Sequence, residues 1–457
     1  MQRSDRRLVL VVVSAASFLL SFDFSSIVVA MPSIRLAFGA SDSQLAWAQN
    51  SFALAGCAAL PLVGVLGDRL GRARVFCAAT AVFTLASVGC ALAGDVAQLA
   101  CWRGLQGMSA SAFLAIGTAL LSDAWGADMG RTIGFLTGAG AVGMSVGPVL
   151  GGVMVDVASW RFLLVVEAAA GAVLLIAAVT VVVGMPTPRR TQVDAVGAVA
   201  ASIAIACAVG LVHLWPSDAS VLGLSRSIIA VLGLAALVSA VAVFAWRQRT
   251  SAAPALPRAV WSSAGFRTMA AVGFSAYLGL SSTAFFISLV AQSVDGWSAL
   301  PAGLIILPVT VGLVAGTLLG PSLVRRRGQR FAVVLGYAAC ALGTLALLAI
   351  STDAVGWAVV AVGNAVSGLG AGIASPQALA YGLGGIDRRD TGSASSWLWV
   401  CRQWGSSLGF AVLAALAFSA VSLAGGARMV MLASAVAFAV SALIAFHRMA
   451  RVPAQLR

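Results

Sequence analysis

Apolar runs of about twenty residues recur from one end of this chain to the other, each long enough to cross a hydrocarbon layer of about 30 Å as a helix. Inside such a layer every backbone N–H and C=O must be paired within the protein, which leaves helices or a closed barrel. Runs of this length select helices. Charge agrees: 9% of the 457 residues are charged and 60% are hydrophobic, with a mean hydropathy of +1.00. A soluble domain carries about 25% charged residues. The fold class is therefore an all-α polytopic membrane protein, and a soluble reading is excluded.

Fourteen spans are predicted, near 8–30, 44–66, 75–94, 98–121, 132–154, 160–184, 193–213, 225–246, 267–291, 299–322, 331–350, 355–382, 393–419 and 428–447. The first is too long, and too polar at Asp23, for a signal peptide. The organisation reads as a six-helix bundle over 1–184, an inserted two-helix hairpin with its flanks over 185–250, and a second six-helix bundle over 251–457. The two bundles echo each other. Gly71-Arg72 after the second span has its counterpart in Gly328-Gln329 after the tenth, and Arg103-Gly-Leu-Gln106-Gly107 is partly matched by Arg402-Gln403-Trp404-Gly405. Repeats of this kind are typical of secondary transporters.

The net charge of +13 comes from 28 basic residues, all arginine, against 15 acidic ones. Such an excess can signal a nucleic-acid partner, but its distribution argues otherwise. Arg3, Arg6 and Arg7 precede the first span, Arg69, Arg72 and Arg74 follow the second, and Arg325, Arg326, Arg327 and Arg330 follow the tenth. Arg448, Arg451 and Arg457 follow the last, whereas Arg35, Arg161, Arg226 and Arg428 fall on the opposite side. This is the positive-inside bias, and it predicts both termini in the cytoplasm. Nine of the twelve tryptophans, Trp215 among them, lie near span ends as an aromatic belt; Trp397, Trp399 and Trp404 do not. Arginine without lysine, with heavy alanine and glycine usage, suggests a GC-rich bacterial source.

Several functions are excluded or disfavoured. No lysine means no Walker lysine, so this chain does not draw on ATP directly. The longest stretch outside the spans, about 247–266, is too short for a catalytic domain. The seven cysteines are scattered through apolar spans without a CxxC pair, which disfavours a disulfide or metal role. The two histidines, His213 and His447, are far apart, and no nucleophile–base–orienter set is present. An enzyme is not expected, nor a cofactor.

Few ionisable residues lie inside spans: Asp23, Arg103, Glu167 and Arg402. Each costs about 2.5–3.5 kcal/mol at a helix centre on insertion scales, so each needs a partner or a water-filled cavity. Asp23 paired with Arg103 could simply glue helices together. An intramembrane acid is nonetheless a functional candidate, and a carboxyl in a partly dry cavity can load and release a proton as its solvent access changes. Glu167, the only glutamate, admits two readings: a second proton site, or a solvated residue near the end of the sixth span.

Four stretches resemble known patterns. Gly64-Val-Leu-Gly67-Asp68-Arg69-Leu-Gly71-Arg72-Ala-Arg74 resembles the loop signature of the major facilitator superfamily between spans two and three. Arg103-Gly-Leu-Gln106-Gly107 resembles its fourth-span motif, and Gly143-Met-Ser-Val-Gly147-Pro148-Val-Leu-Gly151-Gly152 its fifth-span motif of drug–proton antiporters. Asp23-Phe-Ser-Ser-Ile-Val-Val-Ala-Met-Pro32 is similar to the first-span motif of the fourteen-span drug antiporters, and Trp160-Arg161 and Asp194-x-x-Gly197 add support.

The resemblance implies a major facilitator fold that exports small amphipathic or hydrophobic compounds across a bacterial plasma membrane. It would act by alternating access and in exchange for protons, without cofactor or nucleic acid, and a monomer is expected. Asp23, Arg103 and Glu167 would couple the proton. Gly64, Gly67, Asp68, Arg69, Gly71 and Arg72, with Asp123, would form a cytoplasmic gate, in which Arg72 reaches Asp123 at the end of span four. Gly143, Gly147, Pro148, Gly151 and Gly152 would form the interface that favours export, although tight helix packing explains the same spacing. Trp397 and Trp404, seven residues apart near Arg402 and Gln403, are candidates for lining a substrate cavity, as are Gln106 and Gln292; plain packing explains the tryptophans nearly as well. A metabolite symporter of the same fold and a non-transporting membrane sensor are the alternatives. Three departures from the family pattern stand out. Glu167 and Ala169 stand where it has asparagine and proline, Arg325 falls where a second Asp68 would lie, and Arg247-Gln248-Arg249 lacks a common acidic residue.

Overall fold

The computed structural model describes residues 3–125, 129–183, 185, 192–214, 226–297, 304–350 and 354–449. Trp215, Arg451 and Arg457 lie outside the described residues, as do the side chains of Arg3, Arg226 and His213. The described residues form helices throughout: α1 Arg3–Phe38, α2 Asp42–Leu70, α3 Arg72–Ala91, α4 Val96–Trp125, α5 Met129–Val157, α6 Trp160–Val182, α7 Ala195–Leu214 and α8 Arg226–Thr250. A single-turn helix, α9 Arg258–Ser262, precedes α10 Ala264–Ser293, α11 Leu307–Arg327, α12 Gln329–Ala346, α13 Ala354–Leu383, α14 Thr391–Phe418 and α15 Leu423–Arg448.

Twelve of these helices, among the described residues, are long and apolar enough to cross a membrane. Two of the fourteen expected spans fall outside that set. In α7 the counted apolar stretch is Ala195–Leu211. Along α14, Ser393, Ser395, Ser396, Arg402 and Gln403 dilute the hydropathy. Polar contacts described below account for most of those α14 residues.

The chain divides into two compact units. The first comprises 1–127, 139–261 and 386–400; the second comprises 128–138, 262–385 and 401–457. In the first, α2 packs on α4 and α7, α3 on α4 and α6, α1 on α4 and α6, and α7 on α8. In the second, α13 packs on α11, α12 and α10, and α15 on α10 and α12.

Caps and turns follow local chemistry. Ser41 and Gln44 form a capping box at the start of α2, and Ser159, Ser263 and Ser422 accept from the first turns of α6, α10 and α15. Gly71 and Gly328 each end one helix and begin the next, at φ 97° and 88°. A side chain is strained at such an angle and glycine is not, which is why both turns carry it. The Gly71–Gly328 echo in the sequence thus reappears as the same reversal in each unit.

Candidate functional site

The first unit holds a buried acid–arginine–acid set on three helices. Asp23 on α1 and Arg103 on α4 are fully buried, and Glu167 on α6 is 1% exposed. Arg103 Nη1 donates to Asp23 Oδ1 at 2.6 Å and Oδ2 at 2.7 Å, and to Gln106 Oε1 at 2.7 Å. Gln106 Nε2 donates to Ser87 Oγ at 2.9 Å, so α3 braces the arginine through the glutamine. The Phe52 ring of α2 lies 4.4 Å from the guanidinium carbon. That approach depends on Gly107, where a Cβ would collide with the Phe52 backbone. Gln106, placed by sequence in a substrate cavity, is thus a buried partner of Arg103.

Glu167 adjoins Asp23. Its Oε1 accepts from Ser26 Oγ at 3.1 Å, whereas its Oε2, like Arg103 Nε and Nη2, is buried without a hydrogen-bond partner. This burial removes the solvated reading of Glu167. Leaving buried polar atoms without partners is costly, which sets this cluster apart from the surrounding apolar packing. Ser26, Ser87 and Phe52 were not singled out from the sequence. One signal was available, since Ser26 lies three residues after Asp23 and Ser87 is an isolated polar residue in an apolar helix.

The glycine series of α5 seats α1. A Cβ on Gly143 would strike the backbone of Phe18, one on Gly147 would strike Ser25 Oγ and reach Phe22 O at 3.0 Å, and one on Gly151 would meet Ser26 Cβ at 2.9 Å. The bare face thus brackets the two turns of α1 that carry Asp23. Gly152 points elsewhere, with Val29 Cγ1 at an ordinary 3.6 Å, and Pro148 is exposed on the other face. Gly147→Val is expected to destabilise the detergent-solubilised protein by about 1–3 kcal/mol through overpacking, with Gly152→Ala near neutral. Equal melting temperatures for the two variants would contradict the packing.

A second buried network joins the α2–α3 turn to the start of α14. Arg72 Nη1 donates to both oxygens of Asp123 at 2.7 Å, and Nη2 donates to Arg388 O at 2.6 Å and to Asp68 Oδ1 at 3.3 Å. Asp68 Oδ2 accepts from Ser393 N at 3.0 Å and Ser393 Oγ at 2.6 Å. Ser393 N is one of the free N–H groups of the first turn of α14, where the helix dipole also favours a carboxylate. Arg388 Nη2 donates to Asp123 O at 3.2 Å. A Cβ on Gly392 would collide with the Asp68 carboxylate, so glycine is required there. Gly64 and Gly67 face Ser396 and Ile116 in the same way. Arg69 is exposed and takes no part. Arg388, Gly392 and Ser393 were missed by sequence reasoning, although Asp390-Thr-Gly-Ser393 ahead of an apolar run is a helix-start signal.

Further along α14 the tryptophans separate. Trp397 Nε1 donates to Ala255 O at 3.3 Å and its ring packs on Phe244 at 5.5 Å. Trp399 Nε1 donates to Thr118 Oγ1 at 3.3 Å, and Ser395 Oγ to Ala115 O at 2.9 Å. These bonds fasten the start of α14 to α4 and to the segment after α8. Trp404 and Arg402 belong to the second unit. Trp404 Nε1 is buried without a hydrogen-bond partner, and Gln403 is half-buried. Gln292 is exposed and donates to Ser288 Oγ on its own helix at 2.9 Å. Arg247, which had no assigned consequence, pairs with Asp194 at 3.0 Å, and Asp194 caps α7 by accepting from Gly197 N at 2.9 Å.

Comparison with known proteins agrees with this architecture. The chain is 28% identical over 412 residues to the multidrug resistance protein Stp of Mycobacterium tuberculosis H37Rv, covering 89% of this chain and 75% of that protein. It is 31% identical over 425 residues to the cephamycin export protein CmcT of Amycolatopsis lactamdurans, covering 90% and 85%. The proton:xylose symporter XylE superposes with a TM-score of 0.69 at 15% identity, covering 97% of this chain and 95% of that one, a likeness of fold alone. The sequence profile of the Major Facilitator Superfamily matches residues 13–410. The chain belongs to that superfamily.

Proposed function

We propose that this protein exports small amphipathic or hydrophobic compounds, drugs or antibiotics among them, from the cytoplasm in exchange for protons. The observation that carries the coupling is the buried set of one guanidinium and two carboxyls on α1, α4 and α6. One arginine and two ionised acids leave a net negative charge out of water, which is costly. With one proton aboard the set is neutral. Both Asp23 oxygens face Arg103, whereas Glu167 Oε2 has no donor, so the proton rides on Glu167 and passes to Asp23 when the arginine turns away. The relatives described as a multidrug resistance protein and a cephamycin exporter support export over uptake.

In this reading the chain crosses a bacterial plasma membrane fourteen times, with α7 and α14 among the spans, α7–α8 as the inserted hairpin, and both termini in the cytoplasm. The Asp68–Arg72–Asp123 network is the latch of the cytoplasmic side. Everted membrane vesicles energised with a proton gradient test the function. Ethidium or Hoechst dye is expected to accumulate inside while protons leave, and a protonophore is expected to abolish both. Uptake of cargo and acid in the same direction would make the protein a symporter.

A further inference from the structure

Ser26 holds one hydrogen within reach of two acceptors. It is fully buried on α1, one turn beyond Asp23. Its Oγ lies 3.3 Å from the Asp23 carbonyl oxygen and 3.1 Å from Glu167 Oε1 of α6. A hydroxyl donates once, so the two bonds exclude each other. The choice between them depends on Glu167. An ionised carboxylate is the stronger acceptor, since charge-assisted bonds are about twice as strong as neutral ones. With a proton on Glu167 that advantage is gone, and the hydrogen turns back to the carbonyl three residues earlier, a bond that helical serines commonly make.

The surroundings hold this hydroxyl in place. A Cβ on Gly151 would lie 2.9 Å from Ser26 Cβ and 3.1 Å from its Cα, so α5 closes directly on the turn that carries it. The charged and titratable groups facing Glu167 are Asp23 of α1, Arg103 of α4 and Cys90 of α3. Asp23 and Arg103 are bound to each other at 2.6 Å. The neighbouring Ser25 provides the contrast: its Oγ is directed to the carbonyl oxygens of Ser21, Phe22 and Gly143, at 3.0, 3.2 and 3.4 Å.

We infer that Ser26 is a positioning residue for proton exchange: it donates to Glu167 while that carboxyl is ionised, releases it to the α1 backbone bond once the proton is loaded, and so sets how tightly Glu167 holds its proton. The inference rests on the proton-coupled reading and adds to it a residue that never carries the proton itself. A donor to the ionised carboxylate favours the form without the proton, so deleting the hydroxyl makes Glu167 hold the proton more tightly.

The test reads the carboxyl directly. Infrared difference spectra of the purified protein in detergent, taken as the pH is stepped, show the C=O stretch of a protonated carboxyl. Glu167→Gln identifies the band of Glu167 by removing it. Ser26→Ala is expected to move the midpoint of that band upward by about one pH unit, a tenfold gain in proton affinity, the effect of losing one hydrogen bond to a charged group. Ser25→Ala removes a hydroxyl from the same turn and is expected to leave the midpoint in place. In everted vesicles the pH profile of dye accumulation should move upward for Ser26→Ala alone. A midpoint unmoved or lowered by Ser26→Ala, an equal shift from Ser25→Ala, or no titrating band lost in Glu167→Gln overturns the role. The expected infrared shift in a protein that exchanges no dye for protons supports the role of Ser26 and instead overturns the exporter reading.

Discussion

Asp23→Asn is expected to abolish proton-driven accumulation of cargo while leaving the protein folded and inserted. A membrane potential of 100 mV supplies about 2.3 kcal/mol per net charge moved, equivalent to about fifty-fold accumulation of a neutral compound per proton, whereas one-for-one exchange of a monovalent cation such as ethidium draws on the pH gradient alone. Asparagine keeps the shape of the side chain and an acceptor for Arg103, whose 2.6 Å contact holds α1 to α4. It cannot carry a proton. The accumulation ratio of ethidium in energised vesicles should therefore fall to about unity, with downhill exchange of dye retained. Glu167→Gln fixes the neutral form of the second carboxyl and is expected to resemble Asp23→Asn in vesicles. Full, still pH-dependent accumulation by Asp23→Asn would remove that residue from the mechanism; a wild-type response from Glu167→Gln would leave Asp23 as the sole carrier.

Removing the guanidinium of Arg72 should have the largest effect on stability. It serves four acceptors on three segments: both oxygens of Asp123, Asp68 and the carbonyl of Arg388. Arg72→Ala strands two nearly buried carboxylates, and breaking a buried pair in this way costs about 3–5 kcal/mol. Arg72→Lys should recover only part of this, since an ammonium lacks the planar fork that reaches Asp123 through Nη1 while Nη2 reaches Asp68 and the carbonyl of Arg388. Asp68→Asn should be milder, because an amide oxygen still accepts from Ser393. Arg69→Ala, at an exposed position three residues away, should be nearly silent. Melting temperatures of the four purified variants give the order directly, and an Arg69→Ala loss as large as that of Arg72→Ala would contradict the geometry.

The same residues show why some roles were readable and others were not. Asp23, Arg103 and Glu167 stand out in any reading, because a charge in an apolar run is expensive and therefore rare. Their mutual contact, and the bracing of Arg103 by Gln106 and Ser87, joins residues 80 and 19 positions apart in the chain, a relation no local pattern encodes. The α14 tryptophans show the other side of this limit. Trp397 and Trp404 share a helix face by spacing, yet Trp397 is engaged by Ala255 and Phe244. Helical periodicity says which residues face together and is silent about what they meet.

What the chain's sequence determined by itself is the solvent and the class of fold. Apolar runs of span length, satisfied only as helices, together with the loop and fifth-span motifs, were enough for a polytopic helical transporter. Tertiary structure alone decided which polar groups became partners: Gly392 and Ser393 under Asp68, and Ser26 against Glu167. The physical reason is that burial energy depends on apolar area and period, both written along the chain, whereas a hydrogen bond depends on two groups meeting within about 3 Å. Which distant groups meet is settled by how glycine faces such as Gly143, Gly147 and Gly151 let the helices close.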